Sequence, residues 1–356
     1  MRKTISIFLM LFFSISFISL TANEKQDLWV KAISEKDLNT RLTYLENFSE
    51  KYKNDKRYFK NLYINLTKTA FQLRNFDKTI KYGEIAITTE NLEANYKLEL
   101  YLYIANAYNV TKVDLDKAYQ YADTVIDLSE TMKKGFKDGS KVIDRINKSF
   151  ESPSLRIQAS ILYLKSSQEP DKLSEALKKV LKAYNIDKSD RSAAKVFSFS
   201  VALYKKDKTK IDESIAAVEE ILSNTDLKNS RYINILSHWY LIKKDKEKAI
   251  KYLKLSYNLN KKSTTALKLG QLLYKSDPNS AIEFFAESFI LSDYDKESKA
   301  YKYLQQLWFN QVAKSQSREE QEAGFNQILQ TAKANLNQNN EPIKENEQEN
   351  PLQTER

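Results

Sequence analysis

The chain has no cysteine and a single histidine in 356 residues. Disulfides, thiolate metal sites and a cysteine nucleophile are therefore excluded, as is any metal site that needs two histidines. The residue on which a bacterial lipoprotein anchor is built is missing too. Glycine is scarce: there are five in the whole chain, where an average protein has roughly 7%. Proline also numbers five. A fold of tight β-hairpins or glycine loops needs more of both, whereas long helices joined by short polar turns need neither. Gly135 and Gly139 precede no lysine–serine pair, so there is no phosphate loop. No glycine-x-serine-x-glycine nucleophile motif occurs. No cofactor and no metal is expected.

What is present suits a folded chain, with 42% hydrophobic residues and a net charge of +10. The lysines alternate with acids, as in "KKDKEKAIK" at 243–251, which is the pattern of a solvated helical surface. The excess basicity fits acidic partners or anionic envelope surfaces, and it fits equally a lysine-rich composition with no partner meaning. At the N-terminus Arg2 and Lys3 precede an apolar run from Ile5 to Leu20 and then "TANEKQ". These are the three regions of a secretory signal peptide. Residues 1–22 are expected to be removed after Ala22, leaving a periplasmic or secreted protein with no nucleic-acid partner. Membrane contact would arise only if that segment were retained as an anchor; the run is slightly short of the ~20 residues of a spanning helix. From Asn335 to Arg356 the chain is polar and proline-broken, with five acids and two bases, and is expected to be a disordered tail.

Between these ends the chain repeats itself. "EKAIKYLKLSYNLN" at 247–260 returns as "NSAIEFFAESFILS" at 279–292. Ala249, Ile250, Tyr252, Leu253, Ser256 and Tyr257 fall on Ala281, Ile282, Phe284, Phe285, Ser288 and Phe289, spacings of three, four and seven that mark one stripe of a helix. A second amphipathic helix precedes each: "YINILSHWYL" with Ile233, Leu236, Ser237 and Tyr240, and "ALKLGQLL" with Ala266, Leu269, Gly270 and Leu273. Each of these has a bulky residue, a bulky–small pair three later, and another bulky residue three after that.

This pattern resembles the tetratricopeptide repeat, whose second helix carries a small residue about nine positions on, here Ala249 and Ala281. Worn copies run through "YINLTKTAF" with Thr79 and Ala86, "YLYIANAY" with Ala118 and Val125, "LRIQASIL" with Ala176 and Ala183, and "FSFSVALY" with Ser214 and Ile221. Most intervals are near the family's period of about 34 residues. The 58 residues between Ala118 and Ala176 imply an insertion at about 130–152, read as an inserted helix or an irregular segment. Near the start, "TRLTYLENFSEKY" looks like a lone second helix, and "KAYKYLQQLWFN" with "EEQEAGFNQILQTAKANL" looks like a closing pair. Ser152-Pro153, Glu169-Pro170 and Asp277-Pro278 are placed between helices, where a first-turn proline costs no hydrogen bond. The resemblance implies an all-α fold over 23–334: a right-handed α-solenoid of antiparallel helix pairs, each pair shielding the apolar stripe of the last.

Function is then expected to lie in a protein or peptide partner held on the concave face, with no enzymatic activity. Carboxylate pairs such as Glu219-Glu220 and Glu319-Glu320 are adjacent on a helix and point apart. His238 and Gln271 follow the small residues Ser237 and Gly270, as Asn106 follows Ala105; in the family this place faces the inner groove. With Arg231, Asn234, Tyr274 and Lys275 they form a candidate strip for an extended peptide. The alternative is that His238 is a solvent-facing residue with no ligand. The lysine and asparagine pattern by which some family members clamp a C-terminal carboxylate is absent. The 22 tyrosines and 17 phenylalanines fall mostly on the stripes and are expected in the core. Rival readings are a membrane-anchored adaptor that keeps its N-terminal helix, and an envelope glycan-binding protein or hydrolase that uses the groove.

Overall fold

A computed structural model describes residues 24–52, 55–223 and 229–338. The expected signal segment and cleavage point at Ala22 lie outside these residues, as does most of the expected tail. The described secondary structure is helical throughout, and the chain divides into two compact units after Lys195.

The first unit contains α1 (24–34), α2 (Leu38–Tyr52), α3 (Lys56–Gln72), α4 (Phe76–Ile87), α5 (Ala94–Thr111), α6 (Leu115–Lys133), α7 (Lys141–Ile146), α8 (Ser152–Lys165) and α9 (Lys172–Asp187). The division falls within α10 (Asp190–Lys206). The second unit continues with α11 (Ile211–Leu222), α12 (Ser230–Ile242), α13 (Lys246–Leu259), α14 (Ser263–Leu273), α15 (Pro278–Ile290), α16 (Lys299–Leu307) and α17 (Arg318–Gln338). Helices pack as chain-order hairpins, α3 on α4, α5 on α6, α8 on α9, α12 on α13 and α14 on α15; within the first unit α4 packs on α5 and α6 on α8, and within the second α11 packs on α12 and α13 on α14.

The hairpins close on the small residues. Ala118, Ala176, Ala249 and Ala281 are all 0% exposed, and so are Thr79, Ser214 and Ser237. Gly270 shows how little room there is: a Cβ there would stand 2.6 Å from the Phe285 ring across the α14–α15 hairpin. That ring is itself fully buried and stacks on Tyr303 at 5.2 Å, so it has nowhere to retreat. The bulky stripe residues Ile233, Leu236, Leu253, Leu269 and Phe285 fill the space on either side.

Polar latches join one hairpin to the next at a repeated register. Glu46 on α2 accepts from Tyr82 Oη at 2.6 Å and pairs with Lys78 at 2.7 Å, both on α4. Glu84 on α4 accepts from Tyr108 on α5 at 2.7 Å and from Tyr121 and Lys117 on α6 at 3.2 and 3.3 Å. Glu219 on α11 accepts from Tyr240 on α12 and Tyr252 on α13 at 2.6 and 2.7 Å. Partial burial works against the charge on Glu84, but the hydrogen bonds from Tyr108 and Lys117 outweigh it and hold the carboxyl below its usual range. Burial and the facing carboxylate push the Tyr121 phenol up to about 12.

With so few glycines, the turns are made by other residues. Arg74, Lys112 and Lys244 take left-handed φ of 57°, 58° and 63° in the turns of hairpins α3–α4, α5–α6 and α12–α13. An Asx side chain then caps the following helix: Asn75, Asp114 and Asp245 accept from the backbone N–H groups of Lys78, Lys117 and Lys248.

The span 130–152 holds an inserted helix: after a turn at 134–140, α7 runs through a π-helical turn, Asn147–Glu151, straight into α8. Three expectations change. Pro153 therefore lies inside a continuous helix rather than between two. It follows the wider turn, where Ser152 N–H bonds back to Asn147, and such a turn accommodates a residue that cannot complete the ordinary ladder. The segment read as a lone second helix is not alone, because α1 precedes it and Trp29 packs on Phe48 at 5.3 Å. Finally, α17 runs to Gln338 with Leu336 buried, so helix extends past the expected tail boundary at Asn335.

The two kinds of tight position predict opposite responses. Lys244 is exposed, and a left-handed L-residue costs about 1–2 kcal/mol, partly offset by the extra chain entropy that glycine brings to the unfolded state; Lys244→Gly should stabilise the fold by about 0.5–1 kcal/mol. Gly270→Ala gains up to ~1 kcal/mol of helix propensity but drives a methyl into Phe285, at about 1–3 kcal/mol, and should lower the melting temperature. Thermal denaturation of the two variants checks both signs.

Candidate functional site

Three of the expected strip residues come together. Gln271, Tyr274 and Lys275, with Leu272, line a cleft of about 410 Å³ whose other walls are Lys246 at the start of α13 and Tyr303 on α16. Gln271 lies in the last turn of α14, Tyr274 caps that helix, and Lys275 lies in the turn that follows. Tyr274 is held from both sides: its ring meets Tyr303 edge-on at 6.1 Å, and its hydroxyl accepts from Gln311 Nε2 at 3.0 Å. Lys246 Nζ lies 3.3 Å from Ser276 Oγ. Both charged groups in the cleft wall are ammonium groups, and no carboxylate lines it.

His238 stands on the exposed side of α12, one turn beyond Asn234, which is half-buried. Its imidazole is held below the ordinary value of 6.5, chiefly by partial desolvation and then by the charges of Lys268 and Lys208. Those two lysines come from α14 and from the short turn after α10, so the ring faces cations on both neighbours. Lys268 is half-buried and desolvation alone lowers its pKa. Arg231 sits one stripe position earlier, its guanidinium 5.5 Å from the centroid of Phe197. Asn106 lies on α5 in the first unit, half-buried, and is not part of this cluster.

Sequence reasoning missed Lys246, Leu272, Tyr303 and Lys268. Lys268 was legible in principle, because it lies three residues before Gln271 on the same face; Lys246 and Tyr303 depend on where neighbouring helices end. Glu287 was also missed. It is buried on α15 and desolvation raises its carboxyl, while its Oε2 and the Tyr257 hydroxyl are both buried without a hydrogen-bond partner among the described residues. Among the described residues no group of histidine and carboxylates is arranged to hold a metal ion, and no helix is long and apolar enough to cross a membrane.

No family model matches the sequence, and no curated protein does. Among solved structures, a tetratricopeptide repeat protein from Parabacteroides merdae is 12% identical, with 80% of this chain and 99% of that one covered at a TM-score of 0.40. The apo form of RapI is also 12% identical, with 90% and 87% covered at a TM-score of 0.35. The hairpin order and the buried small residues show an all-α fold of helices paired in chain order. The cleft and the His238 cluster lie on the first helices of its hairpins, α12, α14 and α16, with Lys246 contributed by the turn into a second helix.

The single histidine gives one imidazole signal. Folding lowers its pKa, so below pH 6.5 the folded chain holds fewer protons here than the unfolded chain. Its contribution to stability is complete above that pH and is lost as the pH falls through the folded value. An NMR titration should place His238 below 6.5. Lys268→Gln should raise it, without full recovery, because desolvation is the larger cause.

Proposed function

We propose that this protein is an exported, non-catalytic interaction scaffold that holds an extended segment of a protein partner on the first-helix face of its second unit. The cleft between Lys246, Gln271, Tyr274, Lys275 and Tyr303 is the observation that carries this reading. It combines an apolar wall, a side-chain amide able to donate and accept, and fixed aromatic edges, which is the mix that recognises polypeptide rather than a metabolite. Repeat arrays use such faces for binding because one face of every hairpin remains uncovered after stacking. The charged and apolar segments at 1–22 support export to the cell envelope, and scaffolding of an envelope assembly is the setting that follows. No nucleic acid or cofactor enters this reading, and the membrane enters only if the leader is kept.

A photo-crosslinking residue placed at Gln271 should capture a discrete partner from envelope extract, whereas the same residue at Lys251, exposed on α13, should not. N-terminal sequencing of the mature chain should begin at Asn23. Equal capture from both positions would remove the face from the proposal. A chain that retains its first residues would favour the membrane-anchored adaptor, and turnover of a glycan by the purified protein would favour the hydrolase.

A further inference from the structure

The charges of the second unit are sorted by helix. From Val196 onward, α10, α12, α14 and α16 contain no aspartate or glutamate, and they carry Lys205, Lys206, Arg231, Lys268, Lys299 and Lys302. Every helical carboxylate of this unit is on a second helix, α11, α13, α15 or α17. Several carboxylates in the turns are engaged locally: Asp207 accepts from Thr209, Asp245 and Asp277 cap α13 and α15, and Asp295 accepts from the Glu297 N–H.

In the first unit several first-helix cations are answered from within: Lys60 and Lys68 on α3 pair with Glu93 and Glu99, and Arg156 on α8 pairs with Asp187. In the second unit Lys302 on α16 pairs with Glu297 of the turn before it, but among the described residues Arg231, Lys268 and Lys275 have no such ion pair. Lys268 in particular is half-buried with no counter-charge, beside His238 and one turn from the cleft. A desolvated ammonium without a partner is unfavourable in the free protein, and a carboxylate supplied by a ligand would reverse that.

From this we infer that the ligand is an acidic polypeptide segment: a run rich in aspartate or glutamate lies along α12 and α14, and one side-chain carboxylate seats between Lys246 and Lys275. The inference rests on the reading that this face holds a peptide, and it adds the chemistry of that peptide. A polypeptide fits better than another polyanion because neutral acceptors alternate with the cations. Asn234 and Gln271 offer side-chain carbonyls that suit the N–H groups of a peptide backbone, which a phosphodiester backbone lacks. Arginine, the residue best shaped for bidentate phosphate contact, occurs once on these helices, as Arg231, and is already stacked over Phe197.

The test is fluorescence anisotropy on the mature chain with short acetylated, amidated peptides, so that no terminal carboxylate contributes. A glutamate-rich peptide should bind, and more weakly as salt rises from about 50 to 300 mM. Its glutamine analogue should bind at least ~10-fold more weakly. Lys268→Glu with Lys275→Glu should cost at least a further ~10-fold, Lys268→Gln with Lys275→Gln somewhat less, and Lys251→Glu on α13 less than ~2-fold. The glutamine forms serve if the reversals fail to fold. Equal binding of the glutamine analogue would overturn the acidic preference while leaving the peptide-binding face standing. Binding indifferent to Lys268 and Lys275 would overturn the site. Tighter capture of a single-stranded oligonucleotide, with the same dependence on those lysines, would overturn the polypeptide. Failure of every peptide, together with no crosslink from Gln271, would remove the face itself.

Discussion

Everything in this fold depends on how closely the two helices of a hairpin approach. An alanine, threonine, serine or glycine at each crossing lets the backbones come near enough for the bulky residues on either side to interlock. The Gly270–Phe285 contact is the tightest expression of it: a single methyl has no space, and the ring it would strike is already fixed by Tyr303. Close packing of this kind is sensitive to one carbon in either direction. It also explains why a stripe with small residues at fixed intervals is required of the sequence, whereas a merely apolar stripe would give helices without a defined pairing.

Apolar seams alone do not fix which hairpin follows which. The latches at Glu46, Glu84 and Glu219 add a directional element, because each carboxylate reaches forward to a tyrosine, and in two of the three also to a lysine, of the next hairpin. In each case the second-helix tyrosine lies four residues after a lysine: Lys78 and Tyr82, Lys117 and Tyr121, Lys248 and Tyr252. In the last of these Lys248 sits over the Tyr240 ring instead of on the carboxylate. A partly buried carboxylate that accepts two or three hydrogen bonds keeps its charge, so the register is specified by polar groups at little cost in desolvation. The α13–α15 step lacks the arrangement, since Lys254 and Phe284 stand where a glutamate and a tyrosine would be needed. There the contact is apolar, with Tyr257 edge-on to Phe284 at 5.7 Å.

These features differ in how far they could be read from the sequence. The small residues and their stripes were legible, because helical periodicity and a fixed repeat put the same physical demand on the same position: Ala249 and Ala281 are buried as their spacing implies. Helix existence was legible for the same reason. The π-helical turn before Pro153 was not, since a proline signals the end of a ladder and gives no sign that the preceding turn has widened to carry the helix through. The first helix was missed because it has no upstream partner to set a repeat. Of the site, Gln271 followed from the register of α14, and Tyr274 and Lys275 from the turn that continues it. Lys246 and Tyr303 reach the same cleft from other elements, and only tertiary placement brings them there. The sorting of charge was present in the composition of each helix, but it has no meaning until first and second helices are told apart.

The sorting has one competing cause. Latches place glutamates on second helices for structural reasons, and this alone would enrich acids there. It does not, however, remove them from the first helices, and α5 in the first unit shows that such a helix tolerates one, since Glu99 sits there and pairs with Lys68 across the face. A glutamate at a comparable place on α14 would relieve the desolvated Lys268 and the imidazole beside it. Its absence leaves three cations of one face, Arg231, Lys268 and Lys275, without an ion pair among the described residues, in a unit that has carboxylates on every second helix. Stability does not require that arrangement and is slightly opposed by it. Binding an acidic chain does require it, because a carboxylate already on the face would compete for the same ammonium groups and repel the incoming charge.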